Sequence, residues 1–491
     1  MHDVVIVGSG PGGLATALAV RDRAPGARIA LIEAGHAHRR RPCPVDNGRT
    51  CKGCGGMCNV ISGFGGCMHY GDGVKLSLYP SGRRLGELLG EDRAQALSER
   101  AFAALTDRLG DRPVLRGQEI PGRMEVSFGR RGMQIRPYPV ATIGEGTLSS
   151  IIDDLYEDLA ADVDVLVDHD VVEVTGTGTG WTVVVRDRRG RTTDLDAWSV
   201  VLATGRRGLT STQDLMERNG VRMHEPAPSV GVRFEMRSSL LREVGLGHPD
   251  LKVSRTGDGR KTKSFCFCGG GNGGRIKYTN YQTAFGLPII TLDGHETLDR
   301  APAADRELAG NFGLMCQLPP AGQARDSSFQ EHLFAKYRQI SDGHPVVETL
   351  RSFVARTPES RQWPELAAAI PFEPSVRDLR TGPVHELLTE EQHSAIVTGF
   401  RELMEPIMDV AGEEPDITRL LDEVLVLGLE VEFLWNRVEL SEHAETNVRG
   451  LYVVGDAAGY AQGIIQAMML GFAAGEHIAV DRVAAPAVAL A

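Results

Sequence analysis

The sequence lacks the features of several large classes of protein. Its longest apolar run, Ile464 to Gly475, is interrupted by Gln466 and falls well short of the roughly 20 residues that cross a bilayer, so we expect no membrane span. Lys and Arg total 53 against 65 Asp and Glu. This net charge of −12 repels phosphate backbones, so we expect no nucleic-acid partner. No repeat of solenoid period is visible.

The first residues also lack the basic segment of a secretory signal. After Met1-His2-Asp3 the chain enters Val4–Val7, an apolar run typical of a buried strand. We therefore expect a cytoplasmic protein. Hydrophobic residues make up 42% and charged residues 24% of 491 positions. Such a chain is long and apolar enough to bury a full core and to form more than one domain.

Glycine is unusually frequent, with 58 among 491 residues against a usual share of about 7%. Much of the excess lies in four segments, at residues 8–13, 48–73, 269–274 and 455–475. Glycine permits backbone conformations and close approaches that other residues do not. These segments are therefore the first candidates for a binding site.

The first glycine segment has the pattern of a dinucleotide-binding turn. Gly8, Gly10 and Gly13 follow the strand Val4–Val7 as G-x-G-x-x-G and precede a run of helix formers. The three glycines permit, in order, the tight turn, the approach of a pyrophosphate, and close packing of the helix on the strand. The helix N-terminus then attracts the phosphates. Glu33, at the end of the next apolar run, is placed to bind ribose hydroxyls.

Five of the eight cysteines lie within 25 residues. Four of them, Cys43, Cys51, Cys54 and Cys58, suit a zinc ion or an iron–sulfur cluster, because both bind four thiolates. Buried reduced thiols and a redox disulfide are the alternative interpretations of the same loop.

A separate pair, Cys266 and Cys268, stands beside the glycine segment 269–274. Residues two apart in a strand face the same side, so we expect both sulfurs to point into one pocket. The pair is our candidate for the catalytic residues, in a redox or substrate-facing role. Simple packing of small buried residues is the alternative.

Two further segments narrow the nucleotide to FAD. Trp198–Gly208 is a strand-like run that contains Thr204 and Gly205, and Leu451–Gly459 is another that contains Gly455 and Asp456. With the N-terminal turn they resemble the three-part signature of the glutathione-reductase-like FAD superfamily.

Four segments, in the same order along the chain, resemble a largely uncharacterised bacterial family of FAD-dependent dehydrogenases: Cys43–Lys75, Gly231–Glu235, Ser264–Gly270 and Gly455–Ala461. The chain departs from that family at Asp456, where the family usually has Glu, and at Gln462, where it usually has glycine. Because Gln462 is expected near the flavin, the substrate and the reaction are expected to differ from those of relatives.

The resemblance implies a set of cofactor contacts. In the superfamily the aspartate that corresponds to Asp456 binds the ribityl chain, and the following helix points its N-terminus at the flavin ring. Lys75 is expected as a cation near the flavin. The expected contacts are Gly8, Gly10, Pro11, Gly12, Gly13, Glu33, Gly65, Gly66, Asp72, Lys75, Val171, Thr204, Gly205, Gly455, Asp456, Gln462, Gly463 and Ile464.

The order of strand-like and helix-like segments predicts an α/β protein (α+β overall). A discontinuous, Rossmann-like FAD-binding domain is expected from residues 1–90, 145–215 and 420–485. A second, mixed domain over 220–420 is expected to cover the flavin and bind the substrate, because ligand sites favour domain interfaces. Residues 91–144 are expected to form a helical and irregular insertion.

We therefore expect an FAD-dependent oxidoreductase that moves a hydride or two electrons between a small organic substrate and N5 of the flavin. No second G-x-G-x-x-G follows a strand in mid-chain, so we expect no separate nicotinamide domain, and Arg39-Arg40-Arg41 is expected to be a solvated basic turn. A flavin monooxygenase or halogenase is the first alternative. A flavin- or thiol-based redox sensor without turnover is the second.

Overall fold

The fold is described from a computed structural model of the chain. The structure describes residues 1–45, 49–144, 146–225, 228–257, 260–280, 290–297, 306–317, 327–432 and 436–484. Residues 145 and 485, which bound two of the predicted domain segments, lie outside the described residues.

The described strands are β1 (His2–Val7), β2 (Ile29–Glu33), β3 (Lys75–Ser77), β4 (Leu115–Arg116), β5 (Val140–Thr142), β6 (Val163–Val167), β7 (His169–Thr177), β8 (Gly180–Asp187), β9 (Thr192–Leu202), β10 (Met223–His224), β11 (Ser229–Arg237), β12 (Ser254–Gly257), β13 (Arg260–Cys268), β14 (Gly274–Asn280), β15 (Ile290–Glu296), β16 (Glu307–Gln317), β17 (Val346–Thr349), β18 (Phe372–Glu373), β19 (Arg380–Thr381), β20 (Leu425–Glu432), β21 (Arg437–Val438) and β22 (Leu451–Val453).

The described α-helices are α1 (Pro11–Arg23), α2 (Arg84–Leu89), α3 (Glu91–Thr106), α4 (Gly122–Gly129), α5 (Thr147–Leu159), α6 (Leu209–Arg218), α7 (Arg242–Gly247), α8 (Ser327–Ser341), α9 (Leu350–Ala355), α10 (Trp363–Ala369), α11 (Glu390–Ala411) and α12 (Ile464–Ala484).

The first sheet joins segments that are far apart in the sequence. Its strands run in the order β6-β2-β1-β9-β8-β7, and β22 pairs with β9. The strands β6, β2, β1, β9 and β22 pair in parallel, whereas β7, β8 and β9 pair antiparallel. The strands β1 and β2 are almost wholly buried, as their unbroken apolar sequences predict. The predicted α/β class and the Rossmann-type unit β1-α1-β2 are confirmed.

Helices α1 and α12 pack closely because small residues face each other. A Cβ on Gly471 would lie 2.2 Å from the carbonyl oxygen of Gly12, and Thr16 Oγ1 donates to the carbonyl oxygen of Gly471 at 3.1 Å. This contact fixes the C-terminal helix beside the N-terminal turn. The two glycine segments at opposite ends of the sequence thereby become neighbours.

The second sheet runs in the order β12-β13-β16-β11-β20-β17-β19, with β18 on β16. Its central strand, β11, pairs antiparallel with β16 and β20. Helix α11 covers one face, where the ring of Phe400 lies 4.3 Å from that of Phe234. The helix begins with a capping box at Thr389 and Gln392. The sheet therefore has its own aromatic core and leaves the ends of β13 and β20 free to line a site.

Among the described residues, no helix combines the length and the apolar composition that a bilayer crossing requires.

Candidate functional site

The turn after β1 requires glycine for steric reasons. Gly8 has φ +106°, and a Cβ at this residue would lie 2.4 Å from the carbonyl oxygen of Ala203 on the neighbouring strand. A Cβ on Gly13 would lie 1.9 Å from the carbonyl oxygen of Gly8. No side chain fits at these distances, so the two glycines allow the helix to approach the strand.

Gly10 differs from these two glycines, because open space lies beside it. A Cβ there would have one neighbour within 4 Å, the Cα of Gly66 at 4.0 Å. Helix α1 begins at the next residue, Pro11, whose missing N–H costs nothing at that position. Backbone donors and the positive end of a 13-residue helix therefore face a gap that a side chain would fill. This arrangement fits the pyrophosphate of a dinucleotide.

Glu33 links this turn to a second glycine loop. Its carboxylate accepts hydrogen bonds from Ser9 N at 3.1 Å, Ser9 Oγ at 2.8 Å, Gly35 N at 2.7 Å and Gly63 N at 2.9 Å. Glu33 also lines the cavity described below. One carboxylate thus organises the turn and faces the space beside it.

Arg41 holds the glycine loop in place from behind. It donates to the carbonyl oxygens of Asn59, Phe64 and Gly66 at 2.6–3.0 Å, and only 2% of its surface is exposed. Burial lowers the pKa of Arg41 to about 10. The expectation of a solvated basic turn is therefore wrong for Arg41, although the side chains of Arg39 and Arg40 are exposed.

A cavity of about 630 Å³ runs along these elements, within the usual size range of cofactor and ligand sites. It collects most of the residues that the sequence singled out, from every part of the chain. The sequence-predicted cofactor contacts on its wall are Gly8, Gly10, Pro11, Gly12, Glu33, Gly66, Lys75, Val171, Thr204, Gly205, Gly455, Asp456, Gln462, Gly463 and Ile464.

Three predicted contacts lie outside the described cavity wall, where they support it. Gly13 packs against Gly8, as above. A Cβ on Gly65 would lie 2.7 Å from Ile152, so this glycine lets the loop pack on α5. Asp72 accepts a hydrogen bond from Gly146 N at 2.7 Å, which ties two loops together. All three shape the cavity rather than face it.

Asp456 and Gln462 share an arginine that the sequence did not indicate. Arg206 Nε donates to Asp456 Oδ2 at 3.1 Å, and Arg206 Nη2 donates to Gln462 Oε1 at 3.0 Å. Burial raises the pKa of Asp456, and Arg206 opposes that effect. The residue that departs from the family pattern, Gln462, thus lies beside the aspartate expected to bind the ribityl chain.

Of the two candidate catalytic cysteines, Cys266 lines the described cavity wall and Cys268 does not. The pairing of β13 with β16 shifts register between Phe265 and Cys268, and Cys266 has φ +52°. This bulge breaks the strand alternation on which the expectation of a shared pocket was based, although the two thiols still share a hydrogen bond. Cys268 instead contacts Lys75, whose Nζ lies 2.9 Å from its Sγ.

The pKa values of the two thiols are shifted in opposite directions. A hydrogen bond with Cys268 lowers the pKa of Cys266, and the cations of Arg233 and Lys75 lower it further against the effect of burial. Burial and the same hydrogen bond raise the pKa of Cys268. Cys266 therefore has the lower pKa of the two thiols, and it is the one that faces the cavity.

Arg233 is a second residue that sequence reasoning missed. It is fully buried, donates to Glu430 Oε1 at 2.6 Å and to Asn311 Oδ1 at 2.7 Å, and contacts the carbonyl oxygen of Cys266 at 3.2 Å. Burial lowers the pKa of Arg233, but Glu430, Cys266 and Cys268 together raise it by more, so the net shift is upward. A charged residue inside the apolar strand β11 was the available signal, since such residues need a specific partner.

A second ionisable pair lies on the same wall, formed by Asp250 and Lys252 at 3.1 Å. Asp250 Oδ2 also accepts hydrogen bonds from Ser77 Oγ at 2.9 Å and from the Tyr138 hydroxyl at 3.0 Å. Burial raises the pKa of Asp250, but Lys252, Lys75 and the hydrogen bond from Ser77 together lower it by more, so the net shift is downward. The carboxylate is therefore ionised and fixed in position.

His295 adds a neutral imidazole to this end of the cavity. Its Nδ1 lies 2.8 Å from the carbonyl oxygen of Asp72, which can only accept, so the proton is on Nδ1 and Nε2 carries a lone pair. Burial lowers the pKa of His295 well below its ordinary value. The ring is thus a potential proton acceptor at neutral pH.

The cysteine-rich loop does not form the expected metal site within the described part of the chain. Cys43, Cys51, Cys54 and Cys58 form no disulfide bond within the described part of the chain. No three His, Cys, Asp or Glu side chains in that part are grouped so that they could hold a metal ion. Burial raises the pKa of Cys58 to about 11. The prediction of zinc or an iron–sulfur cluster therefore finds no support.

The turn, the adjoining cavity and the acidic and basic residues on its wall form one site that fits a dinucleotide cofactor. Residues 2–224 match the family described as pyridine nucleotide-disulphide oxidoreductase. This segment contains β1, the glycine turn, α1, β2 and β9. No curated protein matches the sequence significantly.

Solved structures with a related overall course include pyridoxine 4-oxidase from Mesorbium loti, with 14% identity, a TM-score of 0.46, and 99% of each chain covered. The p-nitrophenol 4-monooxygenase of Pseudomonas putida DLL-E4 has 12% identity and a TM-score of 0.37, with 99% of this chain and 80% of that chain covered. Aklavinone-11 hydroxylase, in a complex with FAD and aklavinone, has 13% identity and a TM-score of 0.40, with 99% and 63% covered. The chain spans less than two thirds of several matched structures, and no residue role is transferred from them.

Proposed function

We propose that the protein is an FAD-dependent dehydrogenase or reductase, which moves a hydride or two electrons between a small organic substrate and N5 of the flavin. One observation carries the proposal: the same cavity touches the nucleotide turn at Gly8–Gly12 and an ionisable wall at Asp250, Cys266 and His295. A redox cofactor bound at the turn would thus share its cavity with groups that hold charge and protons.

FAD, when bound, supplies the hydride or two-electron chemistry. The residues present fit it, because Gly10 leaves a gap at a helix N-terminus and Glu33 and Asp456 offer carboxylates on the same wall. We assign Gly8, Gly10 and Gly12 to the pyrophosphate, Glu33 to a ribose, and Asp456 with Arg206 to the ribityl side. No metal has a role in the proposal.

The substrate end is assigned to the second sheet. His295 Nε2 is a neutral acceptor and receives a hydrogen bond from a hydroxyl or amine of the substrate, which it thereby orients. Asp250 and Lys252 form a fixed ion pair that orients polar substrate groups. Because its pKa is lowered, we assign a negative charge to Cys266. This charge repels anionic groups of the substrate from that part of the cavity wall.

Absorption spectroscopy of the purified protein is the first test. Stoichiometric bound FAD, visible as oxidised-flavin bands, supports the proposal, and a protein that neither retains nor rebinds FAD contradicts it. Candidate alcohols, amines and acids are then added without oxygen, and bleaching of the flavin by one of them is the expected result.

The alternatives predict other outcomes of the same experiments. A monooxygenase or halogenase would oxidise NADH or NADPH rapidly with uptake of oxygen. A redox sensor would show no turnover with any small molecule but would change its protease sensitivity on reduction. His295→Gln separates chemistry from binding: we expect kcat to fall by about 100-fold and FAD content to stay unchanged.

A further inference from the structure

One side of the cavity opening carries a group of positive charges that the proposed reaction does not use. We call it the basic rim. It consists of Arg83, Arg84, Arg136, Lys261 and Lys263. Arg83, Arg136 and Lys261 are exposed, and the other two are partly buried. The chain as a whole has a net charge of −12, so the rim is a local reversal of sign.

Strand β13 leads from the cavity wall to this rim. Phe265 lines the cavity, whereas Thr262 and Ser264 are buried on the opposite face. Lys261 and Lys263 therefore extend the cavity-facing side of the strand outward. Phe265 and Lys261 are four residues apart, which corresponds to a distance of about 13 Å along the strand at about 3.3 Å per residue. Lys263 lies at the border between the cavity and the rim, because its Nζ forms an ion pair with Glu432, a residue of the cavity wall.

The other half of the rim approaches from different segments. Lys252 Nζ donates to Ser81 Oγ at 3.1 Å, and both residues line the cavity. After Ser81 and Gly82, Arg83 is the N-cap of α2 and Arg84 is its first residue. Arg136 follows Ile135, which forms a bridge with Val253 beside Lys252. Three separate segments thus bring cations to one opening.

These cations act on one another. Burial lowers the pKa of Lys261, and Lys263, Arg136, Arg84 and Arg83 lower it further. Within the described part of the chain, Arg83, Arg136 and Lys261 form no ion pair with a carboxylate. Because Arg83, Arg136 and Lys261 lie near other cations, this part of the rim favours an anion that binds between them.

We propose that the substrate is an elongated small molecule with a phosphate ester or pyrophosphate at one end, which binds the basic rim. Its reacting group then lies about 10–15 Å away, beside Phe265 and Cys266. This inference rests on the proposed function for the identity of the reacting end. The binding of the anion itself is independent of turnover.

The test uses inorganic pyrophosphate as the probe and calorimetry on the FAD-loaded protein. Wild type is expected to bind pyrophosphate, and R83Q/R136Q/K261Q is expected to weaken that binding by about tenfold or more. The matched control, R189Q/R338Q/R419Q, removes three exposed cations elsewhere and is expected to bind as wild type does. Binding is also expected to weaken as salt concentration rises, with a shallower dependence in the rim variant.

Three results would overturn the proposal: no binding of pyrophosphate by the wild-type holoprotein, equal weakening in both triple variants, or tighter binding of a polyglutamate peptide than of pyrophosphate. The last result would assign the rim to an acidic protein partner. Failure of the proposed function is distinguishable, because it is read from FAD content and flavin bleaching, whereas the rim is tested without a reaction.

Discussion

Arg233 Nη1 lies 3.2 Å from the carbonyl oxygen of Cys266, at a residue whose φ is +52°. Such a conformation is uncommon for a residue with a Cβ and needs support from its surroundings. The support comes from a buried guanidinium that is itself fixed by Glu430 and Asn311. One ion pair in the second sheet therefore directs the candidate catalytic thiol into the cavity.

The first prediction concerns the order in which thiols react. Iodoacetamide at pH 7 is expected to alkylate Cys266 before Cys58, because the pKa of Cys266 is lowered by Cys268 and nearby cations, whereas burial raises the pKa of Cys58 to about 11. Peptide mass spectrometry of FAD-free protein over time, at several pH values, measures both rates.

Lys75→Met provides the control for this electrostatic explanation. Removal of the cation is expected to move the pH midpoint of Cys266 alkylation upward and to leave the rate at Cys58 unchanged. Equal rates at the two cysteines of the wild type would contradict the assignment of a thiolate to Cys266.

The second prediction concerns the buried ion pair. Arg233→Met is expected to lower the free energy of unfolding by about 3–5 kcal/mol, because it leaves the 4%-exposed carboxylate of Glu430 buried without its partner. R233M/E430M is expected to recover part of this loss, since neither charge remains. Urea unfolding measures both variants.

Arg351 serves as the matched control, because it forms an ion pair with Asp422 in which both side chains are more than half exposed. Arg351→Met is expected to leave the free energy of unfolding nearly unchanged. If the two single variants lose stability equally, burial is not the cause of the effect.

The nucleotide-binding unit was predictable because local rules specify it. The glycines at 8 and 13 are required by contacts under 2.5 Å with backbone atoms, and β1 and β2 are unbroken apolar runs. The strands at Trp198–Gly208 and Leu451–Gly459 were also predicted, and β9 and β22 prove to be neighbours. Each of these features is specified within a few residues of sequence.

The ion pairs of the site were not predictable, because the two residues of each pair are distant in the sequence. Arg206 meets Asp456 across 250 positions, and Arg233 meets Glu430 across 197. The hydrophobic periodicity of a segment does not indicate which distant residue its charged side chains will contact. The bulge at Cys266 was not predicted for the same reason. Alternation along a strand is a local rule, whereas this backbone conformation depends on tertiary contacts with Arg233.

The third prediction separates cofactor binding from folding within the glycine turn. Gly10→Ala is expected to fold like wild type but to bind FAD about tenfold more weakly or worse, because its Cβ occupies the gap beside the helix N-terminus. Gly13→Ala is expected to destabilise the fold itself, because its Cβ would lie 1.9 Å from a carbonyl oxygen. Titration with FAD and thermal unfolding of each variant measure the two effects.

Gly178→Ala is the control for both variants, since its Cβ would meet no atom within 4 Å. It is expected to change neither FAD affinity nor the unfolding temperature. Wild-type FAD affinity in Gly10→Ala would be evidence that the cofactor does not bind at this turn.

The fourth prediction concerns pH and the fully buried Glu235, whose Oε1 accepts hydrogen bonds from Ser375 N at 3.2 Å and from Ser375 Oγ. Burial raises the pKa of Glu235 from an ordinary 4.5 to about 7. The folded state thus binds this proton more tightly than the unfolded chain does. The stabilisation is complete below about pH 4.5 and is lost as pH rises to about 7, at up to about 1.4 kcal/mol per pH unit.

Glu235→Gln removes this titration, so its stability is expected to fall less than that of wild type between pH 5 and pH 7. Other groups titrate in the same range, and the difference between the two proteins isolates Glu235. Glu217→Gln, at an exposed position, is expected to follow wild type throughout. Urea unfolding at pH 5, 6 and 7 measures the stability of the three proteins. Parallel curves for wild type and Glu235→Gln would show that Glu235 is ionised in the folded protein. The two curves diverge only if the folded protein retains the proton on Glu235.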